Sequence, residues 1–153
     1  MAKFVYKLQS LLNVKIQMED NLKNELGRAV QKLEAEKQRL KAIEMEREDY
    51  IFRINGESAK GIAVAKLKEF GSYVSYLKEK AEIQKENVNY AQNNVDRYRE
   101  ELIKVVQEKE MLEKLKEKKY HEYVKEQLRE EQKLNDEIIS YNYTKTLTGD
   151  DNG

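Results

Sequence analysis

The chain has 153 residues, of which 38% are charged, and its 29 basic and 29 acidic side chains give a formal net charge of +0. Lysines and glutamates are interleaved, so no long basic stripe is available for nucleic acid, and no apolar run approaches the roughly 20 residues of a membrane span. There is no cysteine, which excludes disulfide and thiol chemistry, and no proline. A composition this polar can mark disorder. Here, however, the apolar residues recur at helical spacing, among Leu, Glu, Lys, Gln and Ala, which are strong helix formers. The pattern calls for long helices with a narrow apolar seam. Met1-Ala2-Lys3-Phe4 lacks the apolar run of a signal peptide. The expectation is a cytosolic protein, or one docked peripherally at a membrane.

From Leu8 a spacing of four then three gives Leu8, Leu12, Lys15, Glu19, Leu22, Leu26, Ala29, Leu33, Glu36, Leu40, Ile43, Arg47, Tyr50 and Ile54. Phe4 and Met18 fit a seam shifted by one position, which predicts a stutter near the N-terminus. A first helix is expected over about residues 3–54, about 75–80 Å long at 1.5 Å per residue. Asn55-Gly56-Glu57-Ser58-Ala59-Lys60-Gly61 then reads as a bend. Asn-Gly is a helix C-cap signal, and Ser58 is a candidate N-cap for the next helix. That second helix is expected over about 62–141. Its seam is Leu67, Phe70, Val74, Leu77, Ala81, Gln84, Val88, Ala91, Val95, Tyr98, Leu102, Val105, Lys109 and Leu112. Heptads held this long mean coiled coil. Counted outward from the bend, Phe4 should face about residue 112, where the second seam loses its spacing. That agreement predicts an intramolecular antiparallel pair. Beyond Leu112 the second helix should overhang, with Val124, Leu128, Leu134, Ile138 and Tyr141 on a weaker apolar side. Residues 142–153 read as a frayed tail.

The fold expected is therefore all-α, a single domain over 1–153. It is a two-helix antiparallel coiled-coil hairpin with a longer, overhanging second helix, monomeric on its own. Gly27 and Gly71 interrupt the helices, as points of bending, as places of close approach or as tolerated defects. Near the bend, Tyr50 and Phe70 sit on seams. Phe52, Tyr73 and Tyr76 fall off them and should be partly exposed, either as a partner site or as a wrap around the hairpin end. His121 is the only histidine, so no His-based metal cluster or triad can form within one chain. A GxxxxGK[ST] phosphate loop is missing as well. No catalytic, metal or cofactor residues are expected.

Several stretches then resemble one family. Phe4-x-Tyr6-x-Leu8-Gln9-x-Leu11-Leu12-x-x-Lys15 looks like the start of the FliJ family of flagellar type III export proteins. So do Gly61-Ile62-Ala63, Phe70-x-x-Tyr73-Val74-x-Tyr76-Leu77, the segment Glu113 to Tyr120, and Lys133-Leu134-Asn135-Asp136-Glu137. The resemblance spans nearly the whole chain. It implies a two-helix coiled coil like the central stalk subunit of rotary ATPases. The role it implies is that of stalk and regulator of the flagellar export ATPase, touching the transmembrane export gate, with escort of export chaperones as a further role. It places the gate contacts at Ile43, Tyr50, Tyr73 and Leu77, while Glu46, Lys80 and Gln84 depart from some relatives. It also supplies a ring, the ATPase hexamer, for the apolar residues away from the bend: Phe4, Leu8, Leu11, Leu115, Val124 and Leu128. The location implied is cytoplasmic, peripheral at the inner membrane when docked. Taken without the resemblance, the residues also fit a generic coiled-coil spacer or oligomerisation protein. The central two-glycine bend speaks against a filament.

Overall fold

The computed structural model describes residues 3–150. It consists of two helices, α1 (Gln9–Lys60) and α2 (Val64–Asp150), with no strand among the described residues. The expected seams are the buried faces. Every seam position on either helix is buried or partly buried except Leu8 and Leu67, which are 38% and 39% exposed. The period of 3.5 thus holds through its polar interruptions.

The bend is Gly61-Ile62-Ala63, not 55–61 as expected. Helix α1 runs on through Asn55 and Gly56 to Lys60. Only one left-handed residue is needed to end a helix, and Gly61 supplies it at φ 88°. Its N–H donates to the Ser58 carbonyl at 3.3 Å. Gly56 stays helical at a cost of about 1 kcal/mol relative to Ala. In return the last turn of α1 brings Glu57 within 3.8 Å of Lys66. Ser58 therefore lies inside α1 and does not cap α2. The first bond of α2 runs from the Leu67 N–H to the Ala63 carbonyl at 3.0 Å.

The glycines separate cleanly in consequence. A Cβ at Gly27 or Gly71 would meet nothing within 4 Å, so neither serves close approach. Gly71→Ala and Gly27→Ala should each raise stability by about 1 kcal/mol. Gly61→Ala should lower it by about 1–2 kcal/mol, because L residues resist positive φ. Thermal denaturation followed by circular dichroism checks the signs.

The residues form two packed units. In the first, Gln17–Val105, α1 and α2 pair as an antiparallel hairpin. Contacts step outward from the bend at equal rates: Tyr50 on Phe70, Glu46 on Tyr73, Glu36 on Gln84. One apolar cluster joins Ile43, Leu77 and Ala81, with Leu40, Tyr50 and Tyr73 against it. Another joins Leu33, Ala91 and Val95, with Leu26, Ala29 and Val88. Between them Glu36 and Gln84, both buried, close a polar layer. Gln84 Nε2 donates to the Glu36 carboxylate and, at 2.9 Å, to the Glu36 backbone carbonyl.

The second unit comprises residues 1–16 and 106–153. Leu12 is 3% exposed, and Lys15 pairs with Glu108. Helix α1 starts at Gln9 rather than near residue 3. Phe4-Val5-Tyr6 is aromatic and β-branched, poor in helix propensity, and no Ser, Thr, Asn or Asp caps it. The segment is non-helical and leads into a turn at Lys7–Leu8. Tyr6 OH donates to the Leu112 carbonyl at 2.8 Å. Phe4 does not face residue 112. Its ring lies 5.4 Å from Tyr120 and 5.5 Å from Tyr123. Chain outside a helix climbs about 3.3 Å per residue rather than 1.5 Å, so it reaches further along its partner. Helix α2 also persists beyond residue 141, where the sequence predicts fraying. The hydroxyls of Thr144, Thr146 and Thr148 donate to carbonyls one turn back, at 2.8–3.0 Å. Residues 151–153 lie outside the described residues.

Candidate functional site

Beside the bend, residues 70, 73 and 76 fall one turn apart on α2, and Tyr50 meets them from α1. The Tyr50 ring stands 4.6 Å from Tyr73 and 5.9 Å from Phe70, and Tyr73 stands 5.9 Å from Tyr76. Two cations sit over these rings, Arg53 at 5.7 Å from Tyr50 and Lys66 at 5.8 Å from Phe70. Together the rings edge an open groove of about 520 Å³, with Lys66, Glu69 and Ser72 as its polar margin.

Tyr73 OH donates to Glu46 Oε1 at 2.6 Å, from one helix to the other. That bond holds the phenol proton and, with burial and the carboxylate charge behind it, pushes the Tyr73 pKa up to about 12. Tyr73 is thus a neutral, fixed ring at any physiological pH.

The four expected gate residues occupy two levels. Tyr50 and Tyr73 line the groove. Ile43, 8% exposed, and Leu77, fully buried, lie in the apolar cluster those two rings pack against. Tyr76 and Phe52 are exposed as expected, at 54% and 80%. Two parts of the site escape a reading of the sequence. Phe70 reads as a packing residue from its seam position, although its spacing to Tyr73 and Tyr76 marks one face. The Glu46–Tyr73 bond needs the inter-helix register, which depends on where the bend falls. Arg47, on the α1 seam, keeps a buried Nε without a hydrogen-bond partner.

In the other unit the expected ring-binding residues are dispersed. Phe4 packs on Tyr120 and Tyr123, and Leu115 and Val124 are partly buried. Leu8, Leu11 and Leu128 are 38%, 44% and 60% exposed. Further along α2, Leu134, Ile138 and Tyr141 are exposed as well. Some of the flanking charges are paired one turn away, Lys119 with Glu122 and Arg129 with Glu126, and His121 lies 3.8 Å from Glu117. They are solvated faces more than a cationic patch.

Among the described residues no group of His, Cys, Asp or Glu could hold a metal, and no helix is long and apolar enough to cross a membrane. What the arrangement offers chemically is recognition, through exposed aromatic and aliphatic surface on paired helices.

No curated protein and no solved structure matches the chain. The model of one family, described as Flagellar FliJ protein, matches residues 4–147. A match over nearly the whole length places the chain in that family: it is a FliJ family protein, and so a flagellar, export-related one.

Proposed function

We propose that this protein is the non-enzymatic central stalk and regulator of the flagellar type III export ATPase, linking the ATPase ring to the transmembrane export gate. Family membership supports the setting, and escort of export chaperones belongs to the same reading. The observation that carries it is the aromatic groove beside the bend. A mere spacer has no use for a preformed recess edged by four rings and the Lys66 cation. Such a recess accepts an apolar side chain of a partner, while Lys66, Glu69 and Ser72 orient the polar groups around it.

In this reading the gate protein contacts Tyr50 and Tyr73 directly, and Ile43 and Leu77 hold those rings from beneath. The ATPase hexamer takes Leu115, Val124 and Leu128 of α2, with Phe4, Leu8 and Leu11. Stimulation comes from mass action: a ligand that binds the hexamer better than the monomer shifts assembly toward the hexamer. The location that fits is the cytoplasmic face of the inner membrane.

The test is phosphate release by the purified export ATPase across a range of its own concentration. The full chain should raise turnover most at low ATPase concentration, where assembly is limiting. Leu128→Asp should reduce that gain severalfold with helicity unchanged, because the side chain is 60% exposed. No stimulation by the full chain would refute the ATPase role. Full stimulation by Leu128→Asp would move the contact to Phe4, Leu8 and Leu11.

A further inference from the structure

We propose that the segment Phe4–Tyr6 is a displaceable strap, which covers part of the α2 docking face in the free protein and yields it to the partner. The proposal rests on the ring-docking reading of this end of the chain, changes the role of Phe4 there from contact to cover, and adds its regulation.

Three observations carry it. First, the covered and uncovered parts are one face. Leu112, Tyr123 and Leu134 recur every eleven residues, which is three helical turns, and Ile138 and Tyr141 fall within the same stripe. The strap lies on Leu112, Tyr120 and Tyr123. Leu134, Ile138 and Tyr141 stay exposed, at 57%, 49% and 67%. The strap therefore occupies the near part of a longer apolar strip.

Second, the strap is held by side chains. The Tyr6 hydroxyl bond to Leu112, the burial of the Tyr6 side chain at 9% exposure and the two ring contacts of Phe4 tie it down. The one backbone bond at its end, from the Gln9 N–H to the Tyr6 carbonyl, is local to the turn. Third, it precedes the helix. Rotation at Lys7 and Leu8 swings residues 3–6 away without unwinding α1, whose next buried anchor is Leu12.

A face under such a strap binds with an affinity reduced by the fraction of time it is closed. Release joins Tyr120 and Tyr123 to Leu134, Ile138 and Tyr141, and the docking strip lengthens. The strap thereby sets the threshold at which the strip engages a ring.

The native chain has no cysteine, so a reversible lock can be installed. Phe4→Cys and Tyr123→Cys are joined in the full chain by a short, reducible bis-methanethiosulfonate linker. Binding to the purified export ATPase is measured before and after reduction. The locked chain should bind about tenfold more weakly than the same chain released. Equal binding overturns the proposal.

Tyr6→Phe, which removes only the hydroxyl bond, is the second arm. It should bind the ATPase more tightly and be cut faster by trypsin after Lys3 and Lys7. Weaker binding with faster cutting would make the strap part of the docking surface, and overturns its role as a cover. If the released chain fails to bind the ATPase at all, the ring reading falls. The strap is then judged by trypsin alone: cutting that neither the lock slows nor Tyr6→Phe speeds overturns it.

Discussion

Leu77→Ala should destabilise the hairpin by about 2–4 kcal/mol, the range for removing a fully buried leucine and leaving a cavity. Leu77 is 0% exposed and sits with Ile43 and Ala81 beneath the aromatic groove. Two long helices in narrow contact have few layers to lose, and no neighbouring segment can collapse into the gap. Urea denaturation followed at 222 nm measures the loss. A change under 1 kcal/mol would show that the layer is not close-packed. The comparison with Tyr73→Ala gives the result its functional use. Tyr73 is only partly buried, and its ring edges the groove. Tyr73→Ala should keep most of the stability and lose capture of the export gate protein. Leu77→Ala should lose both. Unchanged gate capture by Tyr73→Ala would remove that side chain from the contact.

The second large effect is a coupling between Glu36 and Gln84. Gln84→Leu takes the inter-helix donor from the buried Glu36 carboxylate, which keeps Arg39 at 3.4 Å on its own helix, and should cost about 2 kcal/mol. Glu36→Leu removes the carboxylate acceptor, leaves Gln84 Nε2 its bond to the backbone carbonyl of residue 36 at 2.9 Å, and should cost about 1–2 kcal/mol. The double variant puts apolar groups of similar size on both sides and should recover most of either loss. The double-mutant cycle then shows a coupling on the order of 2 kcal/mol. Additive losses would mean that neither group depends on the other.

These two layers also show which features are legible in the chain and which are not. The buried faces are legible because a heptad seam tolerates an occasional polar position. Glu36 and Gln84 stand as separate interruptions on the two seams, and only the three-dimensional register shows that each answers the other. The bend is ambiguous for a local reason. Asn55-Gly56 and Gly61 are both stop signals, and of these glycines only Gly61 takes the positive φ that ends the helix. Phe4 is misplaced along α2 when helical rise is applied to a segment that is not helical. Of the groove, Tyr50 and Tyr73 are identifiable from the chain. Their support by Glu46 is not, since a bond between helices depends on register.

The three-residue bend has a consequence for the order in which the hairpin assembles. Closing a loop costs more entropy the longer it is, and the first closure bears most of that cost. Tyr50 and Phe70 are the first ring contact outward from the bend, just beyond the Glu57–Lys66 pair, and each layer outward from them adds apolar burial with little further closure cost. The hairpin should therefore zip from the groove toward the Leu33–Ala91 layer. That order keeps the mean separation of early contacts small, which is the condition for fast folding. It also makes Gly61 matter twice. The residue that sets the native bend sets the probability that the two sides of the zipper first meet.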